Sequence, residues 1–155
     1  MRIEPISANT EREIRGMVED SALFRGMPGA TLDSLLSICH KIIWEYGDRI
    51  LFQGAPPTGL ILIGEGTVEV TATTDEASTV MLASLTTGAT LGEVGTMQDA
   101  NSTANVTATA AGWGLFFPKE ELLQVLKTFP RATERLTRLI NARAGHTLAK
   151  LRNRE

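Results

Sequence analysis

The histidines and cysteine, on which most transition-metal sites and many nucleophile–base pairs are built, are His40, His146 and Cys39. A zinc or iron site needs three or four ligands converging on one point. His40 falls beside the first β-rich run and His146 on the last helical stretch, with no further histidine or cysteine to complete a set. No Ser/His/Asp or Cys/His arrangement is visible. Cys39, at the end of an apolar helical stretch, reads as a small buried hydrophobe. A lone cysteine forms no disulfide within the chain and ligates no iron–sulfur cluster. The expectation is a protein with no catalytic step, no metal and no cofactor.

Charge is the other informative chemistry. The 155 residues carry a formal net charge of −3, unevenly distributed. Residues 1–49 hold 6 basic and 8 acidic side chains, residues 50–118 hold none and 6, and residues 119–155 hold 9 and 4. That polarity argues against a nucleic-acid binder that uses its whole surface, and it separates structural parts of one domain spanning residues 1–155. With 43 % hydrophobic and 21 % charged residues the composition is that of a globular chain large enough for one full core. No apolar run is long enough to span a membrane, and Met1-Arg2-Ile3-Glu4-Pro5 lacks the order of a secretory signal, so a soluble cytoplasmic protein is expected.

The elements that must position any site follow from periodicity. Residues 1–40 read as N-terminal helices. Thr10 sits three residues before Glu13 as in a capping box, with Ile14, Met17 and Val18 on one face. Met27-Pro28-Gly29 breaks the chain before a second short helix with Leu32, Leu35, Leu36 and Ile38. Residues 41–117 turn to short β-rich runs: Ile42–Trp44, Ile50–Phe52, Leu60–Ile63, Val68–Val70, Val80–Leu82, the neighbourhood of Val106, and Trp113–Phe117. Their regular spacing predicts an antiparallel β-roll or jelly-roll barrel of about eight strands, with Trp44 and Trp113 in its core. In residues 118–155, Pro118 fits the first position of a helix carrying Leu122, Leu123, Val125 and Leu126, and Pro130 starts another. On that last helix Leu136, Ile140, Ala144, Leu148 and Leu151 form an apolar stripe among basic residues.

This order of parts resembles the cyclic-nucleotide-binding domain of the catabolite-activator and protein-kinase regulatory-subunit family. The resemblance covers about Ser21 to Asn153. It is carried by Ser21-Ala22-Leu23-Phe24-Arg25-Gly26, by Tyr46-Gly47-Asp48-Arg49-Ile50-Leu51-Phe52-Gln53-Gly54, and by Leu60 to Val70 with Gly64 and Gly66 at the turn. The family's diagnostic cassette is similar to Gly92-Glu93-Val94-Gly95-Thr96-Met97 followed by Ser102-Thr103-Ala104-Asn105-Val106. The resemblance implies a cyclic AMP or cyclic GMP ligand. Gly92 would let the backbone approach it, N–H groups of the turn through Val94 would meet its phosphate, and Glu93 would accept from the ribose 2′-hydroxyl.

The family has an arginine where this chain has Ser102, and no Lys or Arg exists between Arg49 and Lys119 to replace it. Losing one charge-assisted hydrogen bond costs about 1.5 to 3 kcal/mol, roughly 10- to 150-fold in affinity, so weak or lost nucleotide binding is implied. Thr103 keeps a hydroxyl at the second phosphate-contact position. Arg143 aligns with an arginine that faces the glutamate, and Thr147 with a threonine that contacts adenine. Each residue also has a plain structural reading. Glu93 is then a solvated loop carboxylate, Ser102 and Thr103 polar strand-edge residues, Arg143 one charge of a helix face and Thr147 a surface hydroxyl.

Three readings from other classes compete. A cupin-type metalloenzyme fails for want of clustered histidines. A transcription regulator would need a helix-turn-helix; the chain ends at Glu155 and its basic stretch is one amphipathic helix, so direct DNA binding is not expected. A degenerate domain that binds no nucleotide and serves as a dimerisation or protein-interaction module remains the alternative. The expected function is a free-standing, non-catalytic sensor or adaptor whose weakly bound nucleotide repositions the C-terminal helix for an unknown effector protein. The apolar stripe predicts a homodimer through that helix.

Overall fold

A computed structural model describes the backbone of residues 1–152 and the side chains of residues 1–142. Two antiparallel sheets lie at its centre. The first has five strands: β1 (Arg2–Glu4), β2 (His40–Trp44), β9 (Gly112–Pro118), β4 (Gly59–Glu65) and β7 (Thr90–Leu91), in that order across the sheet. The second runs β3 (Arg49–Leu51), β8 (Asn105–Ala108), β5 (Val68–Thr73) and β6 (Thr79–Leu85). Helices α1 (Glu11–Asp20), α2 (Gly29–Ile38), α4 (Lys119–Thr128) and α5 (Pro130–Arg152) flank them, and the short α3 (Glu93–Gln98) sits between β7 and β8. The expected β-roll with flanking helices is the fold observed.

Side chains alternate across a strand, so a strand buried on both faces must be apolar at every position. The runs Leu60–Ile63 and Leu115–Phe117 are such strands. Leu60, Leu62, Leu115 and Phe117 join one core with Ile14, Val18, Leu35, Leu122, Leu136 and Ile140 of the helices. Ile61, Ile63 and Phe116 point the other way, into the core between the sheets with Trp44, Val68 and Val106. Because β4 pairs with β9 from Gly59↔Pro118 to Glu65↔Trp113, both runs present matching faces.

Four expectations are corrected. The capping box does not form: a 3-10 turn (Ala8–Thr10) precedes α1, and the Thr10 hydroxyl donates to the Ser7 carbonyl at 3.0 Å instead of capping the helix. Pro118 ends β9 in an extended conformation (φ −57°, ψ 139°), so the helix starts at Lys119. Trp113 is only half-buried, with Lys41 Nζ 4.9 Å above its ring, whereas Trp44 is fully buried as expected. Strands β1 and β7 went unforeseen because two or three residues are too few to show a period.

Two residues of the stripe on the last helix serve another end than the expected one. Leu136 and Ile140 are 2 % and 1 % exposed, seated in this chain's own helical core, and are not available to a second copy. Ala144, Leu148 and Leu151 lie outside the described side chains.

Candidate functional site

Between the sheets, with the second sheet on one side and β7 of the first sheet and α3 on the other, lies a cavity of about 200 Å³. Leu82 and Leu85 of β6, Val70 of β5 and Leu91 of β7 form apolar walls, and Gly92, Glu93, Val94, Ser102 and Thr103 line it from α3 and the approach to β8. Five of the seven residues expected at a site therefore converge on one space. The other two, Arg143 and Thr147, belong to the part of α5 whose side chains lie outside the described residues.

Local chemistry explains the convergence. Gly92 stands before α3 at φ +76°, the left-handed region that glycine enters without strain. A Cβ there would lie 2.8 Å from the Gly59 carbonyl oxygen and 3.5 Å from Pro57 Cβ. The missing side chain thus makes room for this chain's own β4, where the sequence pattern pointed only to approach by a ligand. Gly95 packs as closely, since a Cβ would come within 2.5 Å of Pro57 Cγ. Asp99 closes α3 at φ +50°, its carboxylate paired with Lys119, which holds it below the usual carboxylate range.

The 102–103 segment is fixed by backbone pairing to the β3–β4 connection. Gly54 N–H donates to the Ser102 carbonyl and Ser102 N–H to the Ala55 carbonyl, both at 2.8 Å. Gln53 adds N–H to Asn105 Oδ1 at 2.9 Å and a two-way side-chain bond to the Thr73 backbone at 2.7 and 3.0 Å. The Ser102 hydroxyl donates to the Ala104 carbonyl at 2.7 Å, so its one proton is already used within the chain. Thr103 is exposed at the rim and Glu93 is half-buried. Among the described residues no cation lines the cavity, in keeping with the basic-free stretch 50–118.

The link from this cassette to α5 was not foreseen. Gln98, the last residue of α3, donates through Nε2 to Asn141 Oδ1 on α5, and Val94 and Met97 pack on the core that holds Leu136, Leu139 and Ile140. An amide pair 43 residues apart leaves no signal in a sequence. Among the described residues, no three His, Cys, Asp or Glu side chains are placed to hold a metal, and no helix is long and apolar enough to cross a membrane.

Residues 42–129 match the model of the cyclic nucleotide-binding domain, and the chain belongs to that family. Its fold is similar to that of the Thermus thermophilus catabolite activator protein, at 24 % identity and a TM-score of 0.73 over 84 % of this chain and 62 % of that one. A cyclic nucleotide-binding domain from Methylobacillus flagellatus is similar at 21 % identity and a TM-score of 0.75, covering 95 % of this chain and 85 % of the other. Glutaminase 1 of Bradyrhizobium diazoefficiens is 30 % identical over 119 residues, 77 % of this chain but 19 % of that protein. The chain thus spans a small part of that relative's length. Members of the family are regulatory modules that take a cyclic nucleotide as a ligand, not as a cofactor.

Proposed function

We propose that this chain is a non-catalytic regulatory module, one domain acting in the cytoplasm, whose cavity takes cyclic AMP or cyclic GMP weakly and passes occupancy to the C-terminal helix. The observation that carries the reading is the convergence of Gly92–Val94 and Ser102–Thr103 on one cavity. Weakness follows from the missing cation at position 102: a phosphate entering would meet backbone N–H groups and the Thr103 hydroxyl, but no guanidinium among the described residues. Output through α5 is supported by the Gln98–Asn141 bond, because a ligand that moves α3 acts on a residue bonded to that helix. Arg143 and Thr147, further along α5, would complete the site from the helix side.

Homodimerisation through the part of α5 beyond Ile140, and an effector protein that reads the helix position, belong to the same proposal. The likeness to a stretch of a glutaminase supports a module that serves an enzyme rather than one that is an enzyme. A second reading, an interaction module that takes no nucleotide, is favoured by one observation: the Ser102 proton is spent on Ala104. Calorimetric titration with both nucleotides separates the two. Saturable heat at high micromolar to millimolar nucleotide is expected, and none for either nucleotide at several millimolar would leave the second reading. Light scattering at tens of micromolar protein checks the dimer, which a monomeric mass would refute.

A further inference from the structure

A second cavity, about 540 Å³, opens on the opposite, helical side of the molecule, between the residues leading into α2 and the elbow where α4 gives way to α5. It shares no lining residue with the cavity between the sheets. Met27, Pro28, Phe129 and Pro130 give it apolar walls, and Arg131 and Arg135 stand at its edge. Arg135 lies over Gly26, its Nη1 3.3 Å from where a Cβ on that glycine would be. Neither guanidinium has an ion-pair partner among the described residues.

Thr31 is a sealed part of the cavity's floor. It lines this cavity, is 0 % exposed, and its hydroxyl has no hydrogen-bond partner among the described residues. Guanidinium forks match planar carboxylates in two-bond geometry, and apolar walls next to them suit a hydrocarbon or aromatic body.

We infer that the elbow cavity is a binding site for a small carboxylate with an apolar tail or ring. Its carboxylate is received by Arg131 and Arg135, and its body lies against Met27 and Phe129. Because the cavity spans the α4–α5 elbow, occupancy bears on the joint that sets the direction of α5.

Octanoate is the probe and octan-1-ol its uncharged control, titrated into the full chain and followed by amide ¹H–¹⁵N NMR. The expected result is saturable shifts at Gly26, Thr31, Phe129 and Ala132, with octan-1-ol weaker by roughly tenfold or more for loss of the charge-assisted bonds. Arg131→Gln and Arg135→Gln should each weaken octanoate by a similar factor. Thr31→Val, which removes a hydroxyl sealed from the cavity, should leave octanoate affinity unchanged. Equal affinity for octanoate and octan-1-ol would overturn the proposal. So would undiminished binding in both arginine variants, shifts centred on Gly92 to Thr103 instead, or no shift at millimolar octanoate.

Discussion

Between the sheets, Glu93 lines a cavity whose walls come from a stretch with no lysine or arginine; at the α4–α5 elbow, Arg131 and Arg135 stand at a cavity with no carboxylate among its described lining residues. The segregation follows the chain. Residues 50–118 fold into the strands around the first cavity, while α4 and the first half of α5 pack through Leu122, Leu126, Leu136 and Ile140 on the other face of the five-stranded sheet. A cation for an anionic ligand between the sheets can therefore come from a strand-edge position such as 102 or from the far part of α5. The elbow has guanidiniums in place from its own helix.

The largest effect expected concerns the seat of α5, which the elbow side depends on. Ile140 is 1 % exposed in the helical core, so Ile140→Glu buries a carboxylate with no partner. Such a change costs more than about 3 kcal/mol. Urea denaturation should show a chain that is largely unfolded at room temperature, and a stable folded monomer would mean that α5 is not held as described.

Ser102→Arg tests the cavity between the sheets. If its cradle is otherwise intact, the added guanidinium should strengthen cyclic AMP binding by about 1 to 3 kcal/mol, roughly 5- to 150-fold in dissociation constant. Glu93→Ala in that background should reverse part of the gain, and octanoate affinity at the elbow should not change. A null result at millimolar nucleotide would show that the missing cation is not what separates this cavity from a working one.

The smallest effect at neutral pH concerns Cys39, buried in the helical core at the C-terminal end of α2. Burial pushes its thiol up from the ordinary 9.0 to about 12 by disfavouring the thiolate. The folded chain then holds a proton that the unfolded chain releases between those values, so this contribution is intact below pH 9 and is lost as pH rises toward 12. Cys39→Ala should flatten the fall of melting temperature with alkaline pH. An unchanged slope would mean that water reaches this core.

Much of the architecture was legible in the sequence because burial imposes periods. Leu60–Ile63 and Leu115–Phe117 read as strands since both faces are covered, and Gly92-Glu93-Val94 with Ser102-Thr103 could be singled out because a glycine-opened turn and a polar strand approach are local patterns. The pairing of Gln98 with Asn141, the open hydroxyl of Thr31 and the guanidinium of Arg135 over Gly26 had no such pattern. Each joins residues far apart in the chain through side chains common on any surface.

The absence of a cation between Arg49 and Lys119 was settled by the sequence alone, as composition is indifferent to folding. Which cavity that absence would starve was decided only in three dimensions. The twist and pairing of the sheets brought 92–94 and 102–103 together, while the same packing drew Leu136 and Ile140 inward and left Arg131 and Arg135 at a separate apolar opening. A helical stripe reports that a face must be covered, but not whether the cover is the chain's own sheet or another molecule, because the hydrophobic effect is non-directional.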